Sequence, residues 1–284
     1  MKISMIGVGK VGSAAVFNLL KNEKITEISL IDIIPDKLEG EYLDLLHATK
    51  GLGRDIKLVY SESYDIVKDS HLVIITAGFP RKDEDSRLDL VQRNIKIIRD
   101  IIEKVKEQEK DCLILVVTNP ADILTYYALK VSGFDRKKVF GMGTILDSYR
   151  LKVVEPNVKT ILGEHGNSMV FVPDGISEDS KVYAKKISKR IIETKGGTWW
   201  GPAVAIADIV DCIVNDRKDV KLVSTLLKGE YGIEDVCLSV PVKLGINGIE
   251  EILEIDLSEK ELELLKSSSN VLKKVIQDCK EISI

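Results

Sequence analysis

Short apolar runs alternate with longer amphipathic stretches through the first half of this 284-residue chain. The runs at 72–77 and 113–118 are apolar almost throughout, as expected for parallel strands that are covered on both faces. The stretches between the runs repeat apolar residues at the three- and four-residue spacing of a helix. Strands are predicted at residues 2–6, 27–31, 57–60, 72–77, 113–118 and 138–140. Their alternation with helices predicts an α/β fold with a doubly wound parallel sheet and right-handed crossovers.

The composition shifts near Gly141, and the regular alternation of strands and helices ends there. Helices are predicted at 181–194 and 201–214, and a hairpin is predicted at 237–257 because two strand-like runs flank Asn247-Gly248. The four residues 258–261, Ser-Glu-Lys-Glu, predict a capping box that opens a last helix. We therefore predict two domains, a doubly wound sheet over residues 1–141 and an α+β domain over residues 142–284.

A glycine motif follows the first predicted strand directly and opens the first predicted helix. In this context the first glycine permits a tight turn, the second lets the backbone approach a pyrophosphate, and the third lets helix and strand pack closely. Asp32 ends the next strand about 20 residues further on, where an acid binds the ribose hydroxyls in such motifs. A tight turn without a ligand is the alternative, but strand, helix and acid together favour a dinucleotide-binding (Rossmann) domain. The residues of the motif are Gly7, Val8, Gly9, Lys10, Val11 and Gly12.

Charge and cysteine usage exclude several classes of partner. The net charge of −4 comes without a dominating basic stripe, which argues against nucleic acid. No apolar run reaches the length of a membrane span and no signal peptide precedes the first strand, so we expect no membrane partner and a cytoplasmic protein. The four cysteines are scattered, which predicts buried thiols in a reducing compartment and no metal site.

Three features lie at or beyond the expected carboxyl edge of the sheet. The segment 79–87 is almost wholly charged and follows a buried strand, where doubly wound folds bind ligands, although a solvated loop is the alternative for this segment alone. Asn119-Pro120 stops the run at 113–118 and can fix an unusual turn, including a cis peptide bond. His165 is one of three histidines and lies among small residues, which favours an accessible ring over a core histidine.

With these residues placed, the chain resembles the malate/lactate dehydrogenase family over nearly its whole length. Five motifs agree in order, namely residues 7–12 with Asp32, 81–87, 118–120, 146–150 and 163–166. The resemblance implies an oxidoreductase that uses NAD, and Asp32 indicates NAD over NADP because a carboxylate repels a 2′-phosphate. The resemblance adds four residues to the cofactor site, which are Asn94, Val117, Thr118 and Asn119.

The resemblance also implies a mechanism for oxidation of a secondary alcohol. His165 would accept the hydroxyl proton as general base, and Asp147 would bond the other ring nitrogen and stabilise the imidazolium. Arg150 would bind the C1 carboxylate of the substrate in a bidentate manner. Arg87 would polarise the C2 oxygen as charge develops there, and Asn119 would add a hydrogen bond to substrate or cofactor.

Arg81 indicates the substrate class within this resemblance. Malate enzymes of the family have Arg at this position, whereas lactate enzymes more often have Gln. The segment 79–87 would act as a lid that excludes water and brings Arg81 and Arg87 to the substrate. A second buried guanidinium requires a second carboxylate, since the charge otherwise stays unpaired. The resemblance therefore implies a small dicarboxylate substrate and interconversion of malate and oxaloacetate, a reaction of the tricarboxylic acid cycle.

Two alternatives and two departures from the family pattern remain. The alternatives are a lactate or other 2-hydroxyacid dehydrogenase, and a non-catalytic dinucleotide-binding redox sensor that would have no use for Asp147, Arg150 and His165 together. Only 14 residues separate Arg150 from His165, which shortens a helix and leaves a homodimer and a homotetramer both open. Asn167 stands where the family usually has Asp, and we expect it to adjust the surroundings of His165 without removing its role.

Overall fold

The structure is a computed structural model that describes residues 1–79, 87–156 and 160–279, without the side chain of Arg87. Six parallel strands pair in the order β3-β2-β1-β4-β5-β6, as a doubly wound sheet requires. The order reverses beside β1, so a crevice opens at the carboxyl ends of β1 and β4. These strands are β1 (Lys2–Ile6), β2 (Glu27–Ile31), β3 (Lys57–Ser61), β4 (Leu72–Ile75), β5 (Leu113–Val116) and β6 (Val139–Gly141). The predicted fold is confirmed.

Helices connect these strands and cover the sheet. In the first half they are α1 (Lys10–Leu19), α2 (Pro35–Gly51), α3 (Arg87–Gln108) and α4 (Ala121–Ser132). The predicted apolar face of α3 is confirmed, because Val91, Ile95 and Ile98 are at most 2% exposed. Helix α4 is buried on nearly every side, packed against α3, the strands β5 and β6, and segments from the second half of the chain. A charged side chain in the first turn of α4 is therefore shielded from solvent.

The second half continues the same sheet with three antiparallel strands. These are β9 (Val220–Lys228), β10 (Glu234–Gly245) and β11 (Gly248–Ile252), and β9 joins β6 where Gly141 pairs with Ser224. The predicted hairpin at Asn247-Gly248 is confirmed, with Leu244 opposite Ile249. Its second strand ends at Ile252, earlier than predicted, because the chain then turns so that the Ile255 N–H donates to the Tyr231 hydroxyl. Strand β9 was not predicted.

The remaining elements form the α+β part that carries the candidate site. The helices are α5 (Ile145–Lys152), α6 (Glu178–Lys195), α7 (Trp200–Val214) and α8 (Glu259–Asp278), and the short strands β7 (Thr160–Leu162) and β8 (Val170–Val172) pair with each other. Gly163 bridges to Ser239 of β10, which attaches β7 to the large sheet. The predicted capping box of α8 is confirmed, since Ser258 and Glu261 each bond the other's backbone N–H. Among the described residues, none of the helices combines the length and apolar character needed to cross a membrane.

Candidate active site

The glycine motif forms the turn from β1 into α1, and its three glycines meet different surroundings. Gly7 has φ +93°, and a Cβ added there would lie 2.4 Å from the Ala77 nitrogen. A Cβ on Gly12 would lie 2.0 Å from the Gly7 oxygen. These two glycines are therefore required by the packing of the chain itself. Gly9 differs, because its backbone is extended and a Cβ there would meet only the Lys37 ammonium, at 3.7 Å.

The N-terminus of α1 suits an anionic group. Gly9 is its N-cap and provides no side chain to bond the first N–H groups, and the first turn contains no acid. Unsatisfied N–H groups and the positive end of the helix dipole attract phosphate. The open space beside Gly9 is the cradle that a Cβ would fill, so the residues present fit the pyrophosphate of a dinucleotide. Lys10 is exposed, and its ammonium lies 4.8 Å from the centre of the Trp199 ring, which links this turn to the start of α7.

Asp32 lies at the carboxyl end of β2, beside the same turn. Its Oδ2 accepts a hydrogen bond from the Val8 N–H at 2.7 Å, and its Oδ1 accepts one from the Ile34 N–H at 3.2 Å. The carboxylate is half-buried and holds the glycine turn in place. The predicted acid therefore lies next to the predicted phosphate site, where a ribose would follow the pyrophosphate.

The carboxyl ends of β4 and β5 are joined by Asn94 of α3. Its amide oxygen accepts from the Phe79 N–H at 2.8 Å, and its Nδ2 donates to the Asn119 carbonyl at 2.8 Å. Asn94 is fully buried, so its side chain supports this edge of the sheet from the protein interior. Asn119 is exposed at the edge itself. Thr118 Oγ1 adds a bond to the Ala77 carbonyl at 2.7 Å. Val117 and Thr118 are nearly buried, and the Asn119-Pro120 peptide bond is cis.

His165, Asp147 and Arg150 come together on the other side of the crevice. Asp147 and Arg150 are three residues apart on α5 and so share a helix face. His165 follows β7, and its Nδ1 lies 2.5 Å from Asp147 Oδ2. Arg150 Nη1 donates to the other oxygen, Oδ1, at 2.9 Å. The Asp147 side chain is 2% exposed and that of His165 is 13% exposed, so Asp147 is buried and the ring of His165 is accessible over a small part of its surface.

The charges of this cluster stabilise the protonated ring. Burial raises the pKa of Asp147, but the charges of His165 and Arg150 outweigh burial and hold that pKa below its ordinary value. Burial lowers the pKa of His165, but the charge and hydrogen bond of Asp147 outweigh burial and raise that pKa above its ordinary value. Because Nδ1 is engaged by Asp147, the other ring nitrogen is the one that can exchange a proton with a ligand.

Two predicted site residues are not placed. Arg81 lies in the segment 80–86, outside the described residues, and the side chain of Arg87 lies outside them as well. Their substrate contacts stay predictions, as does a lid over the crevice. Sequence reasoning also passed over Asp122 in the first turn of α4, which contacts the His165 backbone. A charge within an otherwise apolar helix is the signal that points to it, because an acid is rarely buried without a partner.

Comparison with known proteins agrees with both halves of this site. Residues 1–141 match the family model described as lactate/malate dehydrogenase, NAD binding domain, and residues 144–283 match the model of the alpha/beta C-terminal domain of the same family. The malate dehydrogenase of Archaeoglobus fulgidus is 41% identical over 293 residues, covering 98% of this chain and 99% of that protein. The L-lactate dehydrogenase of Acetivibrio thermocellus is 39% identical over 307 residues, covering 97% and 96%.

A solved structure extends the similarity to the fold. The 2.9 Å structure of the Archaeoglobus fulgidus malate dehydrogenase in complex with NADH has a TM-score of 0.92 and 40% sequence identity, and the match covers 98% of this chain and 99% of that one. The residues beside Gly9 and Asp32 therefore fit a nicotinamide dinucleotide in this chain as well.

The two kinds of glycine predict different results for alanine substitution. Gly9→Ala should leave the melting temperature nearly unchanged and weaken NADH binding at least about tenfold, because its methyl group meets no protein atom closely but fills the cradle. Gly12→Ala should lower the melting temperature, since its methyl group would overlap the Gly7 carbonyl. Gly40→Ala, on the exposed face of α2 with no atom within 4 Å, is the control and should preserve NADH affinity while the melting temperature holds or rises, because alanine is favoured over glycine in a helix interior. Thermal melts and NADH titrations measure these effects; unchanged NADH affinity in Gly9→Ala would contradict the assignment.

Proposed function

The chain belongs to the lactate/malate dehydrogenase family of NAD-dependent oxidoreductases, and from that premise we propose that it interconverts malate and oxaloacetate. The contact between His165 Nδ1 and Asp147 Oδ2, at 2.5 Å, carries the proposal for the chemical step. It leaves Nε2 of a ring with a raised pKa to exchange the proton of a substrate hydroxyl. NAD bound beside Gly9 and Asp32 would supply the acceptor for the hydride of C2 in alcohol oxidation, and NADH would supply the hydride in ketone reduction.

The residues of this chain transfer the proton and bind the substrate. In malate oxidation the C2 hydroxyl proton moves to Nε2 of His165, and Asp147 stabilises the imidazolium that forms. Arg150 binds the C1 carboxylate, and its bond to Asp147 fixes the guanidinium beside the histidine. Arg87 and Asn119 polarise and bind the C2 oxygen. In the reverse direction the protonated His165 returns its proton to that oxygen.

Malate specificity rests on Arg81 in the sequence. Arg81 would pair with the C4 carboxylate of malate, which lactate lacks. A lactate dehydrogenase is the second candidate, because proteins with either activity are similar to this chain to nearly the same extent. The experiment that separates the candidates is NADH oxidation with oxaloacetate, pyruvate and 2-oxoglutarate offered in parallel.

The same proposal extends to the pathway, the cellular location, the assembly and the domain division of the protein. We infer a role in the tricarboxylic acid cycle and a cytoplasmic location, which the four buried free thiols support. A homodimer or homotetramer is supported by exposed apolar side chains on α1, α2 and α7, namely Phe17, Leu43, Trp200 and Val204. A division into domains at 1–141 and 142–284 stays a proposal, which limited proteolysis of the chain would test.

His165→Asn should lower turnover by ~10²–10⁴, the usual contribution of a positioned acid or base, while NADH binding stays close to that of the unaltered protein. The matched control is His47→Asn, because His47 is exposed on α2 and lies near the end of that helix opposite to Asp32. Steady-state kinetics and NADH titration are measured on both variants. A parallel loss of NADH binding in His165→Asn would show that the residue is structural.

The pH dependence should have opposite signs in the two directions. Oxaloacetate reduction needs protonated His165, so its rate should be constant at low pH and decline as pH rises through the apparent pKa. Malate oxidation needs the neutral ring and should decline as pH falls through the same value. Since the pKa of His165 is raised, both transitions should lie above the ordinary value of about 6.5. Profiles of kcat/KM in both directions measure this, and transitions below that value would contradict it.

Arg81→Gln should reduce kcat/KM for oxaloacetate by roughly 10²–10⁴, while kcat/KM for pyruvate rises or holds. The reason is that a buried guanidinium needs the distal carboxylate, whereas Gln can face a methyl group without leaving a charge unpaired. Lys82→Gln removes the neighbouring cation and serves as the matched control, for which the ratio of the two efficiencies should stay nearly constant. If Arg81→Gln leaves that ratio unchanged, Arg81 does not read the substrate.

A further inference from the structure

Asp122 is a buried acid at the start of α4, directly after the edge formed by Asn119 and Pro120. It is 2% exposed and lies in a helix that is buried on nearly every side. Its position gives it no role in binding solvent or capping the helix, because the N-cap is Pro120 and no side-chain cap bond is present. The mechanism described above does not use it.

The carboxylate contacts the backbone of the proton-transfer residue. Asp122 Oδ2 accepts a hydrogen bond from the His165 N–H at 2.8 Å, which joins α4 to the segment after β7 across 43 residues of chain. Within the described part of the chain, the other oxygen, Oδ1, has no hydrogen bond of ordinary geometry, although the Ser224 hydroxyl of β9 interacts with the carboxylate and lowers its pKa. An acid that is buried and only half satisfied is unfavourable for folding.

A neutral side chain would avoid that unfavourable burial. Burial raises the pKa of Asp122 to about 6, so the residue is ionised at neutral pH only against a desolvation penalty. Asparagine has nearly the same shape and could accept the same backbone hydrogen bond without a charge. The negative charge itself therefore calls for an explanation, and a group that gains from it is the imidazole of His165, whose backbone Asp122 already contacts and whose pKa the Asp122 charge raises.

We propose that Asp122 is a positioning residue for proton transfer, which fixes the backbone of His165 and stabilises its protonated ring with a second negative charge. This inference rests on the proposed function, in which His165 moves the proton. Asp147 and Asp122 act on different parts of the same residue. Asp147 orients the ring from α5 through Nδ1, and Asp122 holds the main chain from α4.

The charged and titratable groups around this pair are few in the described structure. The ring of His165 is influenced by Asp147 and Asp122, which raise its pKa, and by Arg150, which lowers it. Asp122 is influenced in turn by Glu164, which precedes the histidine and raises the pKa of Asp122. Cys237 of β10 also faces Asp122, and burial keeps that thiol neutral by raising its pKa well above the ordinary value.

The test measures the pKa of His165 directly, by imidazole NMR on the protein without NADH. Asp122→Asn should lower that pKa by about 0.5 to 1 unit, the size expected when one nearby opposite charge is removed from a protein interior. The chain has three histidines, so His47 and His71 are internal references that should not shift, and His165→Asn assigns the third signal. In oxaloacetate reduction, the alkaline decline of kcat/KM should move to lower pH by the same amount, with NADH affinity retained.

Glu261→Gln is the matched control for loss of a buried carboxylate. Glu261 is 6% exposed and also accepts backbone N–H bonds, from Ser258 and Asp174, but it belongs to the capping box of α8. It should lower the melting temperature and leave the pKa of His165 unchanged. A merely structural role for Asp122 would give the same pair of results in Asp122→Asn, and would overturn the proposal.

Two further measurements separate the outcomes. Asp122→Ser is a smaller neutral variant that carries the same readout if the asparagine variant does not fold. On the unaltered protein, the carbon-13 shift of the Asp122 carboxyl should show it ionised where His165 titrates; a carboxyl that stays protonated through that range overturns the proposal. If His165→Asn keeps full turnover while Asp122→Asn still lowers the pKa of His165, the proposed function fails and the electrostatic role of Asp122 stands.

Discussion

The contact between His165 and Asp147 is the interaction on which the candidate site depends. Asp147 is almost completely buried, and a buried carboxylate is costly to keep ionised unless its oxygens have partners. One oxygen bonds the ring of His165 and the other bonds Arg150, so the burial that would otherwise neutralise the acid instead fixes two cations beside it. The proposed proton-transfer group and the proposed carboxylate-binding group are therefore positioned by one residue, and neither can move without leaving a charge on Asp147 unpaired.

The cofactor half depends on a different constraint, which is close approach of backbone to backbone. Gly7 and Gly12 allow β1, α1 and the end of β4 to meet without side chains between them. Asn94 and Thr118 then join the carboxyl ends of β4 and β5 by bonds to carbonyl and N–H groups. Because these bonds are made from within the core, the edge that faces the crevice is held by the protein's own hydrogen bonds, and Asn119 is exposed on that edge.

Much of the fold follows from local patterns, and what does not follow is instructive. The runs at 72–77 and 113–118 predict buried parallel strands because both faces are apolar, and the glycine motif with Asp32 predicts the nucleotide edge from spacing alone. Strand β9 escaped prediction because charged and hydroxyl side chains interrupt its apolar pattern and because one of its partners, β6, is distant in sequence. The same reason hides Asp122, whose importance depends on a histidine 43 residues away. Sequence spacing shows which residues can share one face of a helix. It does not show which distant segment, such as the one after β7, packs against that face.

The placement of these groups also separates chemistry from substrate choice. Proton exchange at C2 and binding of the C1 carboxylate require only atoms that every 2-hydroxy acid has, and His165, Asp147 and Arg150 lie on buried, mutually bonded elements. Discrimination requires a group that reaches beyond C2, and in the proposed function that group is Arg81, which lies between β4 and α3 in the sequence. On that proposal, a change at position 81 would alter the substrate and leave the bond between His165 and Asp147 intact. The proposal therefore agrees with the similarity of this chain, to nearly the same extent, to a malate dehydrogenase and to a lactate dehydrogenase.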